Sequence, residues 1–187
     1  MARKKRHYNV QPLRTKKEID TFLQILGVPV EGKRNQLLFL IGINNGLRTS
    51  DIVTLKVKDV KEDNPYIVEQ KTGKVRQLYL KNMRPIIDSY IVGKKNSDWL
   101  FPSRQGGHIE RNTVYVIFRE AAKLMGRNDI GTHTMRKTFG YHYYQKTHDV
   151  ATLMKIFNHS SESVTKRYIG IESDDIKKTM DSFHLGF

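Results

Sequence analysis

The sequence predicts a mainly α-helical domain with one small antiparallel β-sheet. Apolar residues recur at helical spacing along most of the chain, first in residues 16–26. Two strand-like segments, residues 66–70 and 75–80, flank a glycine-containing turn that is typical of a β-hairpin. No internal repeat and no Pro/Gly/Ser-rich linker divides the 187 residues, so we expect a single main domain.

The first two predicted helices have recognisable ends. Thr15 and Glu18 fit the Ser/Thr-x-x-Glu capping box, so the first helix is expected over residues 16–26, where Gly27 ends it. Residues 33–45 are densely apolar and predict a buried helix that a following glycine closes.

Further helices are predicted along the rest of the chain. Thr49 or Ser50 is expected to cap a short helix that runs through Leu55. After the hairpin, a helix is predicted from about residue 83 to residue 92. Residues 109–183 are predicted to be helical, with breaks near residues 126–132, His148, Ser160 and Gly170.

The composition favours a polyanionic partner. The chain carries 33 Lys and Arg against 19 Asp and Glu, a net charge of +14, which makes nucleic acid the first candidate and a membrane surface the second. The longest apolar run, residues 37–43, is far shorter than the ~20 residues of a membrane-spanning helix. No signal peptide opens the chain, so a cytoplasmic protein without a membrane partner is expected. The absence of cysteine excludes disulfides and thiolate metal ligands.

Three segments are predicted along the chain. Residues 1–14 form a basic N-terminal arm, because no acidic residue precedes Glu18 and such a composition is not expected to pack. Residues 15–172 form the main domain. Residues 173–187 form a helical tail, with apolar side chains such as Phe183 on one face.

The polar residues that could carry chemistry are ordinary when each is considered alone. They are Arg48, Lys71, His133, Arg136, His159 and Tyr168. A lysine in a hairpin is usually solvated, and a single tyrosine is usually a half-buried aromatic. His133 and Arg136 lie three residues apart and share a helix face, but arginine is not a metal ligand and no metal site is predicted. Order and spacing, considered jointly, overturn these ordinary interpretations.

Four motifs together resemble those of the tyrosine recombinases, which are also called phage integrases. Residues 46–51 read Gly-Leu-Arg-Thr-Ser-Asp and are similar to the Gly-Leu-Arg-x-Ser-Glu/Asp box. Residues 71–76 resemble the lysine segment of the family's β-hairpin. Residues 133–139 resemble His-x-Leu-Arg-His-Thr-Phe, and residues 158–161 resemble the Leu-Gly-His box that precedes the family's tyrosine, here Tyr168.

The resemblance covers residues 13–170 and keeps the family's order of Arg, Lys, His, Arg, His and Tyr. Three departures are visible: Met135 replaces the usual Leu, Lys137 stands where His or Arg is frequent, and Asn158 replaces a Gly. Asn adopts the left-handed backbone conformation less freely than Gly, so the change at residue 158 affects the local backbone. None of the three changes removes a reacting group.

The resemblance implies a tyrosine recombinase catalytic-domain fold for residues 15–172 and a defined reaction. Tyr168 would attack a DNA phosphate to form a 3′-phosphotyrosyl bond, which a DNA hydroxyl later displaces without ATP. Arg48 and Arg136 would clamp the phosphate, because planar guanidinium groups bind two oxygens and oppose the charge that develops there. With His159 they would supply the positive field that many nucleases take from magnesium, so no cofactor is expected.

Proton transfer is expected to involve two further residues. A tyrosine hydroxyl, with its reference pKa near 10, is a weak nucleophile at neutral pH, and His133 is the candidate base. The resemblance assigns Lys71 as the general acid that protonates the leaving 5′ oxygen, with Lys74 in reserve. Asp51 is expected to brace Arg48 or a catalytic partner through a charge-assisted hydrogen bond.

Duplex DNA is the predicted partner, and a tetramer on two DNA sites is the predicted assembly. In relatives a terminal helix docks on a neighbouring protomer, and the tail here would either do this or pack on its own core. Many relatives also carry a helical domain before the catalytic one, so the chain is either a fragment or a minimal recombinase, which its Met1-Ala2-Arg3 start favours. The side chains expected to bind DNA are the basic residues of the arm and the hairpin: Arg3, Lys4, Lys5, Arg6, Lys74 and Arg76.

Two other functions remain open from the sequence. A type IB topoisomerase would share the clamp and the tyrosine, and a DNA-binding regulator would keep the fold without turnover. The short span from Arg48 to Tyr168 and the hairpin pattern are more similar to the integrases. The complete set of six residues argues against a silent regulator.

Overall fold

The computed structural model describes residues 10–183, which form a mainly helical domain with one two-stranded antiparallel sheet. This confirms the predicted fold class. The helices are α1 (Lys16–Gly27), α2 (Gly32–Asn45), α3 (Thr49–Val53), α4 (Arg84–Ile91), α5 (Arg111–Leu124), α6 (His133–Thr147), α7 (Val150–Phe157), α8 (Glu162–Ile169) and α9 (Ile171–Ser182). Short 3₁₀ turns cover Val57–Val60 and Lys81–Met83, and the strands are β1 (Tyr66–Val68) and β2 (Val75–Gln77).

Helix α1 begins as its sequence predicts. The Thr15 side chain accepts a hydrogen bond from the Glu18 amide, and the Glu18 carboxylate accepts one from the Thr15 amide. Both bonds satisfy amides that a helix start leaves without intrahelical partners. The capping box therefore fixes where the first core helix enters.

Helix α2 is the centre of the main core and contacts both α1 and α6. Its Phe39 meets Phe22 of α1 and Phe118 of α5 edge to face, with ring centroids 5.0 and 6.0 Å apart. Such aromatic pairs add to the stabilisation from burying apolar area. The helix ends at Gly46, whose backbone is left-handed at φ 59°.

A smaller apolar cluster joins the C-terminal helices. Leu153 and Phe157 of α7 pack with Ile169 of α8 and with Ile171, and the ring of Tyr168 lies against them. The cluster is separate from the main core. It fixes the position of α8 relative to α6 and α7, and therefore the position of Tyr168.

Three predicted boundaries were wrong. Helix α3 begins at Thr49, because the Arg48 carbonyl accepts the first helical hydrogen bonds, and neither Thr49 nor Ser50 is its cap. The strands are shorter than predicted: beyond Val68 the chain enters the turn, and beyond Gln77 the Tyr79 amide donates to the Asn45 side chain rather than to β1. The tail helix α9 begins at Ile171, two residues earlier than expected.

The predicted N-terminal arm is shorter than expected in the described part of the chain. Leu13 is fully buried, and its amide donates to the Thr138 hydroxyl at 2.9 Å. Arg14 pairs with Asp174 of α9 at 3.0 Å. Residues 10–14 therefore pack against the domain, contrary to the expectation for a basic arm, because Leu13 supplies an apolar anchor. The DNA-binding predictions for Arg3, Lys4, Lys5 and Arg6 lie outside the described residues.

Candidate active site

One open cavity of about 550 Å³ collects four of the six predicted catalytic residues. It lies between the α2–α3 junction, the hairpin turn and the start of α6. Its lining includes Arg48, Lys71, His133 and Arg136, together with Arg111 at the start of α5. Segments far apart in the sequence thus bring cationic side chains to one place.

Arg48 owes its position to the turn between α2 and α3. The left-handed Gly46 ends α2, and Arg48 then occupies the N-cap position of α3 in an extended conformation. Its Nη1 donates to Glu69 Oε2 at 2.8 Å, whereas the nearest Asp51 oxygen lies 4.0 Å away. The carboxylate that holds Arg48 is therefore Glu69, and the expected brace by Asp51 is only a long ion pair.

Arg136 is almost fully buried on α6. Its Nη1 donates to the Gly46 carbonyl at 2.6 Å and its Nη2 to the Ile156 carbonyl at 3.4 Å, while the guanidinium lies over the Phe157 ring. Burial lowers the pKa of Arg136 to about 10. The group therefore stays charged at neutral pH, and backbone carbonyls fix its orientation.

Tyr168 and His133 form the central contact of the site. The Tyr168 hydroxyl lies 3.3 Å from His133 Nδ1. Burial raises the pKa of Tyr168 above its ordinary value of 10, although Arg136 and Arg48 act in the opposite direction. The hydroxyl therefore keeps its proton at neutral pH and needs an acceptor.

The electrostatic environment keeps His133 available as that acceptor. Burial lowers the pKa of His133, and the positive charges of neighbours including Arg136 and Lys137 lower it further. A neutral imidazole has one nitrogen that can accept a proton. His133 thus lies within reach of the Tyr168 hydroxyl and has a nitrogen that can accept a hydrogen bond from it.

His159 also contacts Tyr168. Its ring meets the Tyr168 ring edge to face at 5.1 Å, and its Nδ1 lies 3.1 Å from the Thr165 hydroxyl oxygen. Because that hydroxyl donates to the Ser161 carbonyl, it can only accept from His159, so Nδ1 carries the hydrogen. Burial lowers the pKa of His159, and the positive charges of Arg136 and Arg48 lower it further.

The backbone at Asn158 accommodates the side chain that replaces the family's Gly. Asn158 closes α7 with a left-handed backbone at φ 56°, the conformation that a glycine would adopt more freely. Its side-chain oxygen accepts a hydrogen bond from Lys74 Nζ at 2.6 Å. The departure from the family's Gly is thus accommodated.

The two hairpin lysines occupy different places. Lys71 lines the same cavity as Arg48 and His133. Lys74 is held by Asn158 and lines a second cavity. This geometry favours Lys71 over the reserve candidate.

Arg76 requires a correction. It was predicted to bind DNA, but its guanidinium is largely buried and donates to Glu69 Oε1 at 3.1 Å, to the Ile156 carbonyl at 3.3 Å and to the Asn45 carbonyl. A basic residue on a short hairpin is usually solvated, but here the hairpin packs against α2 and α7. Arg76 therefore fastens the hairpin to the domain.

Sequence reasoning missed Glu69 and Lys137, as well as Arg111, which lines the cavity. Glu69 holds Arg48, and Lys137 Nζ lies 5.1 Å from the centre of the Tyr168 ring. The strand alternation carried a signal for Glu69, because residues 67 and 69 share the inward face, where a carboxylate needs a positive partner. Among residues 10–183, no group of three metal-ligating side chains is found, and no helix is long and apolar enough to cross a membrane.

Comparison with known proteins identifies the family. The description "Phage integrase family" matches residues 13–174, most of the chain. The chain belongs to this family. It is therefore a tyrosine recombinase, a member of an enzyme class that carries out site-specific DNA recombination.

Individual relatives differ in how much of their length the integrase chain covers. It is 45% identical to the "Probable integrase/recombinase YoeC" of Bacillus subtilis, with 93% of this chain and 97% of that protein aligned. It is 26% identical to the tyrosine recombinase XerC of Staphylococcus saprophyticus, covering 82% of this chain but 55% of XerC. The chain therefore spans about half the length of XerC.

The fold is shared with solved recombinases. The structure of XerH bound to difH substrate, a pre-cleavage complex, matches with a TM-score of 0.66 at 23% identity, over 84% of this chain and 50% of that one. The structure of XerA matches with a TM-score of 0.71 at 16% identity, over 100% and 68% of the two chains.

Proposed function

We propose that the protein cleaves and rejoins duplex DNA through a covalent bond between Tyr168 and a 3′ phosphate. The observation that carries this proposal is the meeting of the Tyr168 hydroxyl with His133 beside Arg136, at a cavity that Arg48 and Lys71 also line. These are the groups that a phosphoryl transfer without a metal ion requires: a nucleophile, a base, a cationic clamp and an acid.

The clamp consists of Arg48 and Arg136. A guanidinium has five N–H donors, and the bonds of Arg48 to Glu69 and of Arg136 to two carbonyls leave further donors for phosphate oxygens. Fixed charges of this kind stabilise the negative charge that develops in the transition state without needing to reorganise. His159, uncharged in the free protein, would gain a proton when the phosphate binds beside it.

The proton transfers balance. Tyr168 Oη attacks phosphorus and its proton passes to His133, while the bond from phosphorus to the 5′ oxygen breaks. Lys71 donates a proton to that oxygen, and a 5′ hydroxyl leaves. For rejoining, a 5′ hydroxyl attacks the phosphotyrosyl ester, its proton passes to Lys71, and Tyr168 leaves with the proton held by His133.

Duplex DNA is the substrate that fits this site. The net charge of +14 suits a polyanion, and XerH and a lambda integrase dimer were solved on DNA. The basic residues of segment 1–9 would neutralise further phosphates. Deletion of residues 2–6 should then flatten the salt dependence of DNA binding by about 0.9 in log–log slope for each phosphate that is no longer neutralised, and an unchanged slope would exclude this role.

Self-association through the tail is the proposed route to a tetramer on two DNA sites. Helix α9 packs on α8 through buried Ile171, yet Ile176, Met180 and Phe183 are each about 60% exposed. Exposed large apolar side chains grouped on one helix mark an interaction surface. A neighbouring copy of the same chain is the partner that we propose for it.

Trapping tests the proposed reaction. A half-site with a nick near the cleavage point should yield a denaturant-stable protein–DNA adduct, also in the presence of EDTA. Tyr168→Phe should give none, whereas Tyr144→Phe, on the same helix as His133 but about 16 Å further along it, should react normally. Relaxation of any supercoiled plasmid without exchange between specific sites would instead indicate a topoisomerase.

A further inference from the structure

The turn that carries Lys71 is held on both sides by carboxylates beside Arg48. The amide of Gln70 donates to Asp51 Oδ1 at 2.8 Å, and the hydroxyl of Thr72 donates to Glu69 Oε2 at 2.7 Å. Lys71, between these two residues, lines the cavity that Arg48 also lines. Its backbone is thus fixed while its side chain remains accessible.

One oxygen joins this turn to the phosphate clamp. Glu69 Oε2 accepts both the Thr72 hydroxyl and Arg48 Nη1, at 2.7 and 2.8 Å. The orientation of the arginine and the position of the turn therefore depend on the same atom. A movement of Oε2 would shift both.

The other oxygen of Glu69 is fixed by the body of the domain. Oε1 accepts from Arg76, whose guanidinium is bound in turn to carbonyls of Asn45 and Ile156. The side chain of Glu69 is only 7% exposed. The carboxylate is therefore anchored by a buried arginine on one side and presents its second oxygen to the site.

Glu69 remains charged under all conditions relevant to DNA cleavage. Burial would raise the pKa of Glu69, but hydrogen bonds from Thr72, Arg48 and Arg76 outweigh it and hold the pKa at about 2. The carboxylate therefore neither takes up nor releases a proton at the pH of DNA cleavage. Any role it has is to position its neighbours.

We propose that Glu69 is a positioning residue that aligns the Lys71 turn with the Arg48 side of the phosphate clamp. This inference rests on the proposed function, in which Lys71 protonates the leaving oxygen and Arg48 binds the phosphate. Glu69 itself would contact neither the leaving oxygen nor the phosphate, because Thr72, Arg48 and Arg76 occupy its oxygens. Loss of its charge should impair both tasks at once, which neither Lys71 nor Arg48 substitutions do singly.

A leaving-group experiment separates the two tasks. A nicked half-site is made with the ordinary 5′ bridging oxygen, and a second one with sulfur in its place. A thiolate leaves without a proton because a thiol has a reference pKa near 8.5 and an alcohol a much higher one. Single-turnover cleavage of each half-site is measured at saturating protein, with DNA affinity measured beside it.

The expected pattern distinguishes Glu69 from both of its partners. Lys71→Ala should cleave the oxygen half-site about a hundredfold more slowly than wild type and recover the wild-type rate on the sulfur half-site. Arg48→Ala should cleave both half-sites more slowly. Glu69→Gln should cleave the oxygen half-site about a hundredfold more slowly than wild type. The sulfur half-site should restore about tenfold of that rate, which is still below wild type. DNA affinity should be nearly unchanged. A purely structural role would lower both substrates equally.

Thr72→Val provides a second variant if Glu69→Gln fails to fold. It removes the hydroxyl that links the turn to Glu69 Oε2 and leaves the arginines paired. Thr72→Val should cleave the oxygen half-site about tenfold more slowly than wild type and the sulfur half-site at the wild-type rate. Thr147→Val, at the far end of α6, is the matched control and should cleave both substrates like wild type.

Two results would overturn the inference. One is a Glu69→Gln or Thr72→Val protein that cleaves the oxygen substrate at the wild-type rate. The other is a loss of cleavage rate in these variants that is as large on the sulfur half-site as on the oxygen half-site. A wild-type protein that forms no adduct would refute the proposed function itself and is thereby distinguishable.

Discussion

At the scale of single residues, the site depends on opposite protonation preferences of neighbouring groups. Burial raises the pKa of Tyr168 and lowers that of His133. The tyrosine therefore holds its proton while the imidazole beside it is free to accept one. Cations that disfavour the imidazolium also favour the phenolate, so Arg136 assists both partners.

This arrangement predicts the pH dependence of cleavage. His133 must be neutral to act as base, so the rate should rise with pH through the lowered pKa of His133, with a midpoint below its ordinary value of 6.5. Below that midpoint the imidazole is protonated and the rate falls. Cleavage at sub-saturating DNA reports the groups of the free protein.

The control for this profile is another histidine. His133→Gln should remove the rising limb, whereas His108→Gln, whose imidazole lies beside the Ile109 carbonyl, should retain it. A midpoint above 6.5 in wild type, or an unchanged limb in His133→Gln, would rule out His133 as the base.

The six residues proposed as catalytic could be named from the sequence because each stands in a short motif that can be read locally. Their partners could not. Arg48 contacts Glu69, which is 21 residues away in the sequence. Arg136 contacts the Gly46 carbonyl, which is 90 residues away. Which buried carboxylate binds which arginine depends on how the hairpin packs, and one sequence contains no measure of that.

At the scale of elements, the turn between α2 and α3 determines the position of Arg48. Gly46 has φ 59°, and a Cβ there would lie 2.4 Å from the Phe139 ring. Two separate costs therefore oppose any side chain at this position: the left-handed backbone and the collision with α6.

Gly46→Ala should lower the free energy of unfolding by about 2–4 kcal/mol, combining backbone strain with overpacking. Urea denaturation would measure it. Gly126→Ala is the matched control, because Gly126 has φ 68° but open space around it, and it should lose about 1 kcal/mol. Equal losses in the two variants would mean that contact with Phe139 contributes nothing.

Element boundaries were the weakest part of the sequence prediction. Helix positions were recovered because apolar periodicity and glycine ends are local, as at α1 and α2. The short strands and the cap of α3 were misplaced because hydrogen bonds from distant segments decide them: Tyr79 donates its amide to Asn45, and Thr49 donates to the Thr132 carbonyl. Leu13 was likewise assigned to the arm on charge alone.

At the scale of the whole molecule, the tail presents its apolar residues outward. Truncation after Gly170 would remove buried Ile171 and the Asp174 partner of Arg14, so it would damage the fold. Substitution of exposed residues is the sharper test. Met180→Ser with Phe183→Ser should leave half-site cleavage intact but weaken assembly on paired sites.

Assembly would be measured by the size of the protein–DNA complex with two full sites. Val30→Ser is the matched control, since Val30 is more exposed than either tail residue but lies in the α1–α2 loop. If the tail variant assembles like the control, α9 does not join the copies.

The central claim is that Tyr168 becomes covalently bound to DNA, and peptide mapping of the trapped adduct tests it most directly. Digestion with trypsin should release a nucleotide-bearing peptide of residues 168–177, since trypsin cuts after Arg167 and after Lys177. The account predicts the nucleotide on Tyr168. A nucleotide on any other peptide, or an adduct that persists in Tyr168→Phe, would contradict it.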